Sequence, residues 1–341
     1  MIWLLALAVI APTVFVYFLV IKATDRFEPE PFWLLTVMFL WGAVVATVLA
    51  IVGNAVGEGA VSAALGKGAG KELVQESTAA FVAPLVEETT KGVGLLLLWA
   101  LSAVWLRELD GALDGAIYGG VVGLGFTLTE DMLYVTRAAE GGGFAAFFGV
   151  FVLRTVLSGL GHASFTAMTG LGVGIAAEAS PGLLKLIAPV GGWLSAVGLH
   201  FLHNFLVTFL YADGTGLTAK FVVFWMFDTL FFVVILMLAL RDRSIVLRGL
   251  IDEAGRLLHP KELARTTSYW MLVPFWNFVS LLGGSSGYAK SRQKQLALIE
   301  LSFLKHRKRR GETDASIDRS EQELRQRIWH ANQAGIFIGP R

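Results

Sequence analysis

The chain has 341 residues, of which 55% are apolar and 16% charged, and its mean hydropathy is +0.63. Soluble globular chains carry about 25% charged residues, so a soluble two-domain protein is excluded. The net charge of +1 hides an asymmetry: residues 1–240 hold 10 Lys and Arg against 17 Asp and Glu, whereas residues 241–341 hold 18 against 10. The apolar runs are continuous rather than alternating. They predict an all-α, polytopic bundle of about seven or eight transmembrane helices, followed by a basic cytoplasmic tail. The expected division is a membrane-embedded domain over 1–240 and a partly amphipathic tail over 241–341. The chain has no cysteine, which excludes disulfides, thiolate metal sites and Cys nucleophiles.

In chain order, residues 2–21 carry no charge and are long enough to span about 30 Å of hydrocarbon. They lack the basic flank of a signal peptide, so a retained helix is expected. Residues 32–53 form a second uncharged span. Residues 54–76, rich in Gly and Ala with interspersed charge, read as a loop. Spans three and four cover 79–106 and 114–136. The run 144–177 is too long for one upright helix and predicts a short interfacial or tilted piece near 144–153, then a span from about 155. Spans six and seven cover 186–212 and 221–240. Residues 269–282 are apolar but short, which suits an interfacial segment. Leu296, Ile299 and Phe303 follow helical spacing, and the basic run Lys305–Arg310 reads either as a positive-inside flank or as a contact with anionic lipid. No nucleic-acid partner is expected. A cytoplasmic tail behind seven spans puts the N-terminus outside; an eighth span would reverse it.

Ionisable groups inside these spans carry the functional information. A central charge costs about 2.5–3.5 kcal/mol on insertion scales, so such groups must face one another or a water-filled cavity. Glu87, Glu88, Lys91, Glu130, Asp131, Arg154 and Asp228 all lie within or near apolar spans. Glu87 and Lys91 are four apart and can pair on a helix, with Glu88 turned about 100° away. Phe126, Glu130 and Tyr134 share one helix face, and Gly119 and Gly123 upstream suit a close helix contact. His162 sits among small residues, and His200 and Asn204 share a face at four-residue spacing. Each cluster also has a structural reading: a snorkelling ion pair for Glu87, an interfacial pair for Asp131, a packing hydrogen bond for His162. Similar depth in four helices nevertheless suits one site. There, a carboxylate would accept a proton from water, and a His and an amide would stabilise an oxyanion. HExxH and GxSxG are absent, so neither a standard zinc protease nor a hydrolase nucleophile elbow is present. Glu and His in another arrangement could still hold a divalent metal such as zinc.

The ordered set Glu87-Glu88-Thr-Thr-Lys91, Phe126 to Glu130, Gly161-His162 and His200 to Asn204 resembles the PrsW family of intramembrane proteases, related to the CAAX prenyl endopeptidases and bacteriocin-processing enzymes. The resemblance covers about residues 80–210. It implies a cell-membrane protease acting on membrane-anchored substrates such as anti-sigma factors. It also implies roles: Glu87 as general base with Glu88 beside it, Glu130 as proton relay or metal ligand, and His200 and Asn204 as oxyanion donors. His162 would complete the site, and Lys91 would neutralise one Glu. Asp131 stands where the family commonly has Asn, which removes an amide donor. Two other classes remain open on the same residues. A proton- or ion-coupled transporter would recruit Asp228 as well, and a non-catalytic scaffold would tolerate Gln at Glu87 and Glu130.

Overall fold

A computed structural model describes residues 1–66, 68–106, 108–210, 217–268, 285–312 and 315–338. Among these residues the chain is helical, without a strand. Five stretches are long and apolar enough to cross a membrane: Ile2–Thr24, Phe32–Leu65, Lys71–Leu106, Ala112–Glu178 and Leu183–Phe209. The first three are α1, α2 and α3. The fourth has 67 residues, which as one straight helix would reach about 100 Å, three times the hydrocarbon thickness. It is broken instead. α4, Ala112–Val150, bends at Gly143, whose φ of 67° leaves the helical region. A wide-turn segment, Phe151–Leu157, follows, and α5 restarts at Gly161–Glu178 after the non-helical Ser158. α6 is Leu183–Phe205, and α7 is Leu217–Leu250. The seventh expected span lies within α7, although the side chains of several of its residues fall outside the described set.

Two expectations are corrected. Residues 54–65 are not a loop but the second half of α2. Gly57, and Gly53 just before the segment, are contact points: a Cβ on Gly53 or Gly57 would come within 2.5 or 2.3 Å of a γ-methyl of Val86 or Val82 on α3, whereas Gly59 has nothing within 4 Å. The 144–177 run does break, but at 158–160 and not near 153–155. The expected interfacial segment 269–282 lies outside the described residues.

The chain forms two compact units, residues 1–22 with 30–235 and residues 23–29 with 236–341. In the first, glycine permits backbone-to-backbone approach between antiparallel helices. A Cβ on Gly115 would stand 2.1 Å from the Gly170 carbonyl oxygen, on Gly119 2.5 Å from that of Thr166, on Gly123 2.2 Å from that of His162, and on Gly174 2.2 Å from that of Gly111. The pairs step by four residues in each helix, so one register runs the length of the α4–α5 seam. Gly42 and Gly125 make the equivalent approach between α2 and α4, and Gly172 and Gly192 between α5 and α6. Small residues at helix interfaces are the membrane alternative to hydrophobic burial, because lipid is as apolar as a side chain. Gly119→Val should therefore lower thermal stability in detergent by at least the 1–3 kcal/mol typical of overpacking. Gly198→Val, at a position open within 4 Å, should not. Equal melting temperatures for the two variants would refute the register.

In the second unit, α8 (Pro260–Thr266), α9 (Ser285–Arg309) and α10 (Ala315–Gln333) enclose a core that includes Phe27, Val246, Leu250, Leu298, Leu324 and Ile328. Phe27 comes from the α1–α2 connection. α8 opens on a capping box in which His259 Nδ1 accepts from the Lys261 N–H and the Glu262 side chain accepts from the His259 N–H. The basic run of α9 is largely paired within the unit: Lys305 with Glu253, Arg307 with Glu312, and Lys308 with Asp318 and Glu321. Less of its charge is free for lipid than the run alone suggests.

Glu253 accepts from both terminal nitrogens of Arg325, at 2.7 and 3.1 Å, and from Lys305 at 2.8 Å. The Arg325 hydrogen bonds, helped by those from Lys305, hold its carboxyl down at about 2 against an ordinary 4.5. A depressed folded-state pKa stabilises the fold fully above the ordinary value and loses that contribution as pH falls through the lower one. Between about pH 4.5 and 2, melting of this unit should therefore fall more steeply in the wild type than in Glu253→Gln. Parallel acid profiles would contradict the assignment.

Candidate active site

The seams bring four helices to one cavity of about 400 Å³. Ala79, Ala83 and Glu87 from α3 line it along one helical stripe; Glu130, Asp131 and Tyr134 come from α4, His162 and Phe165 from α5, and His200 and Asn204 from α6. α3 reaches the cavity through a wide-turn segment, Thr78–Val82, immediately before Pro84. A proline has no N–H to give the preceding turn, and a widened turn accommodates it. The carbonyl of Ala79 in that segment is taken up by Asn204 Nδ2 at 2.8 Å.

The two adjacent carboxylates of α3 have different surroundings. Glu88, fully buried, accepts from Lys91 Nζ (2.8 Å), His200 Nδ1 (3.1 Å) and Thr166 Oγ1 (2.8 Å). Lys91 thus binds Glu88 at i+3, and it stands 3.7 Å from Glu87, the partner that the four-residue spacing suggested. Glu87 is also buried. Its Oε1 accepts from Asn54 Nδ2 at 3.3 Å, while its Oε2 makes no hydrogen bond and lies 4.0 Å from His200 Nε2. Glu88 therefore orients His200: its carboxylate takes the Nδ1 proton and leaves Nε2 facing Glu87.

The second group is centred on α4. Glu130 Oε2 receives Arg154 Nη2 at 2.6 Å and His162 Nε2 at 2.7 Å. Asp131 accepts from Arg154 Nε (2.9 Å) through one oxygen and from Thr155 Oγ1 (2.8 Å) through the other. An aspartate thus suits this position, where two donors converge on two acceptors; an asparagine would turn its N–H₂ against one of them. Lys91 Nζ lies 3.0 Å from His162 Nδ1 and 3.9 Å from the centre of the Phe126 ring. An ammonium only donates, so His162 accepts at Nδ1 and carries its proton on Nε2, toward Glu130. Lys91 links the two groups. Ser158 Oγ donates to the carbonyls of Leu153 and Arg154, so that hydroxyl serves the chain turn.

All six expected site residues and the supporting Lys91, Phe126 and Asp131 therefore fall at or beside one cavity. Asn204 reaches it with an amide already bonded to Ala79. Asp228 does not line it. Four residues with no assigned role in the sequence reading belong to the site: Asn54, Arg154, Thr155 and Thr166. The charge of Arg154 inside an apolar run was a usable signal. Asn54 was hidden by its glycine-rich surroundings.

The donor chemistry tests whether a metal fits. Ligand atoms of Glu87, His162 and His200 lie within 4.8 Å of one another. One carboxylate with two imidazoles is a donor set used by zinc hydrolases, and the unpartnered Glu87 Oε2 is an atom that a cation would satisfy. His162 would exchange one of its two present contacts. The residues fit a divalent cation.

A family model described as PrsW family intramembrane metalloprotease matches residues 30–239. No curated protein and no solved structure matches the chain.

Proposed function

Since the chain belongs to the PrsW family of intramembrane metalloproteases, we propose that it hydrolyses peptide bonds of membrane-anchored proteins, anti-sigma-factor-like substrates among them, within the α3–α6 cavity. The observation that carries this reading is the contrast between the two glutamates of α3: one accepts from three donors, while the other has an oxygen without a hydrogen bond, facing Lys91 at 3.7 Å and His200 at 4.0 Å. Glu87 is the proton acceptor for the attacking water, with Oε1 steadied by Asn54. His200 Nε2 stands 4.0 Å from Oε2, in a tautomer fixed by Glu88. Glu87 then gives that proton to the leaving amine, while Glu130 accepts the His162 Nε2–H and holds that imidazole in place. Asn204, at the cavity edge, is the amide available to a carbonyl oxygen once it leaves Ala79. His162 and His200 with one oxygen of Glu87 would hold a divalent ion such as zinc, which when bound would supply polarisation of water and carbonyl, and the other Glu87 oxygen would then take the proton.

A proton-coupled transporter would recruit Asp228, and Asp228 does not line the cavity where the other carboxylates converge. The wider kinship with CAAX endopeptidases rests on motif order. We further place the protein as multi-pass in the cell membrane with its C-terminal unit cytoplasmic, where its basic surface would meet anionic lipid.

The test is cleavage of co-expressed single-span membrane proteins, followed by reconstitution in detergent. Treatment with a strong chelator should abolish the fragment and zinc should restore it, with near-stoichiometric zinc in the active preparation. Full activity after exhaustive chelation would remove the ion from the mechanism. No fragment from a broad panel of substrates would remove the protease reading.

A further inference from the structure

Arg154 stands at a junction that the proposed mechanism does not use. It sits in the wide-turn segment after α4, where the Ser158 hydroxyl takes its carbonyl at 3.0 Å and that of Leu153 at 2.8 Å. Its guanidinium spans one turn of α4. Nη2 meets Glu130, Nε meets Asp131, and its central carbon lies 3.9 Å over the Tyr134 ring. About a third of the side chain is exposed, and it lines the cavity. Gly123 lies against His162, and Thr127, one turn further along α4, donates to the Gly159 carbonyl at 3.4 Å; beyond the non-helical Ser158 the chain continues beside α4, with Arg154 against Glu130 and Asp131.

Two donors, Arg154 Nη2 and His162 Nε2, converge on the same oxygen of Glu130. A carboxylate fixed through one oxygen by two donors from different segments has a single orientation. Its other oxygen is then directed by the clamp and not by rotamer preference. Asp131 and Thr155 fix the guanidinium in turn, since a planar fork held at Nε cannot rotate away from Nη2. Lysine would keep the charge and lose the fork.

We propose that Arg154 is a positioning residue for the proteolytic reaction: it clamps Glu130 through one oxygen so that His162 and the cavity each meet a defined face of that carboxylate. This rests on the proteolytic reading of the cavity. Partners that orient a site residue typically matter 10–100-fold in activity. Arg154→Gln and Arg154→Lys should each lower kcat by about 10–100-fold, with KM within about twofold of wild type. The Lys variant should fall as well, because charge without the fork does not hold both carboxylates.

Purified wild-type, R154K, R154Q and R154A proteins would be compared in detergent, with melting temperature as the control for folding. Guanidinium ion at millimolar concentration should restore part of the lost kcat in R154A and none in R154K, since only the truncated side chain leaves room. A second readout needs no turnover. The ring ¹⁵N signals of His162, protonated on Nε2 against Glu130 in the wild type, should shift in R154Q. Unchanged kcat and unchanged His162 signals in R154K and R154Q would overturn the proposal. So would a loss of kcat in R154A that guanidinium fails to restore in a protein that melts like wild type. If the wild type cleaves nothing, the proteolytic reading falls by itself, and the His162 signals still decide whether Arg154 sets the Glu130–His162 pair.

Discussion

Glu87→Gln should lower the cleavage rate by about 10²–10⁴-fold, the range attributed to a positioned general base, at membrane levels and melting temperature close to wild type. The substitution keeps shape and removes the acceptor. In the fold, Glu87 Oε2 makes no hydrogen bond and Oε1 makes one, from Asn54. A Gln that turns its carbonyl oxygen to Asn54 keeps that bond, so little stability depends on the charge. The measurement is single-turnover cleavage of a reconstituted single-span substrate, with stability followed on the same samples. A variant that cleaves within threefold of wild type would remove Glu87 from the chemistry. One that fails to fold would show that its carboxylate is structural.

Its neighbour should behave in the opposite way. Glu88→Ala is expected to destabilise the fold by about 3–5 kcal/mol, the cost of stripping one partner from a buried ion pair. The Lys91 ammonium, wholly buried, would lose its 2.8 Å partner, and Thr166 and His200 would each lose an acceptor. The double variant Glu88→Leu with Lys91→Met should recover much of that loss, because the pair is then replaced and not broken. Activity would not return with it, since His200 would lose the group that fixes its tautomer. Chemical or thermal unfolding in detergent reads both effects. Wild-type stability for Glu88→Ala would show that the pair carries no weight. A dead but stable variant would instead make Glu88 chemical in role.

These two expectations separate residues that the sequence presents as an equivalent pair. The EExxK spacing puts both glutamates near Lys91, and helical geometry alone favours Glu87 as its partner. What decides otherwise is tertiary: Thr166 and His200 arrive from α5 and α6 on the Glu88 side. Residue types inside apolar runs are legible because membrane burial makes every charge expensive; that argument singles out Glu130, His162 and His200, and all three line the cavity. Which charges meet was not legible, because it depends on how far helices slide along one another. Part of that register was nonetheless written in the chain. Gly111, Gly115, Gly119 and Gly123 recur every four residues, and Gly170 and Gly174 continue the pattern on the partner helix. The loop expected over 54–76 is helical through Leu65 for the same reason: Gly57 serves contact with Val82, which its residue type alone does not distinguish from freedom.

The α4–α5 seam has a consequence for how this protein can change over generations. In an ordinary core, a bulky replacement can be accommodated when a facing side chain shrinks, so the two positions drift together. Here Gly115, Gly119, Gly123 and Gly170 face backbone atoms of the opposite helix of the hairpin. Backbone has nothing to give up, so no second substitution restores the fit. Such a seam is expected to hold its composition against substitutions that the outward-facing sides of the same helices tolerate. The spacing it imposes between Glu130 and His162 is inherited as a fixed length.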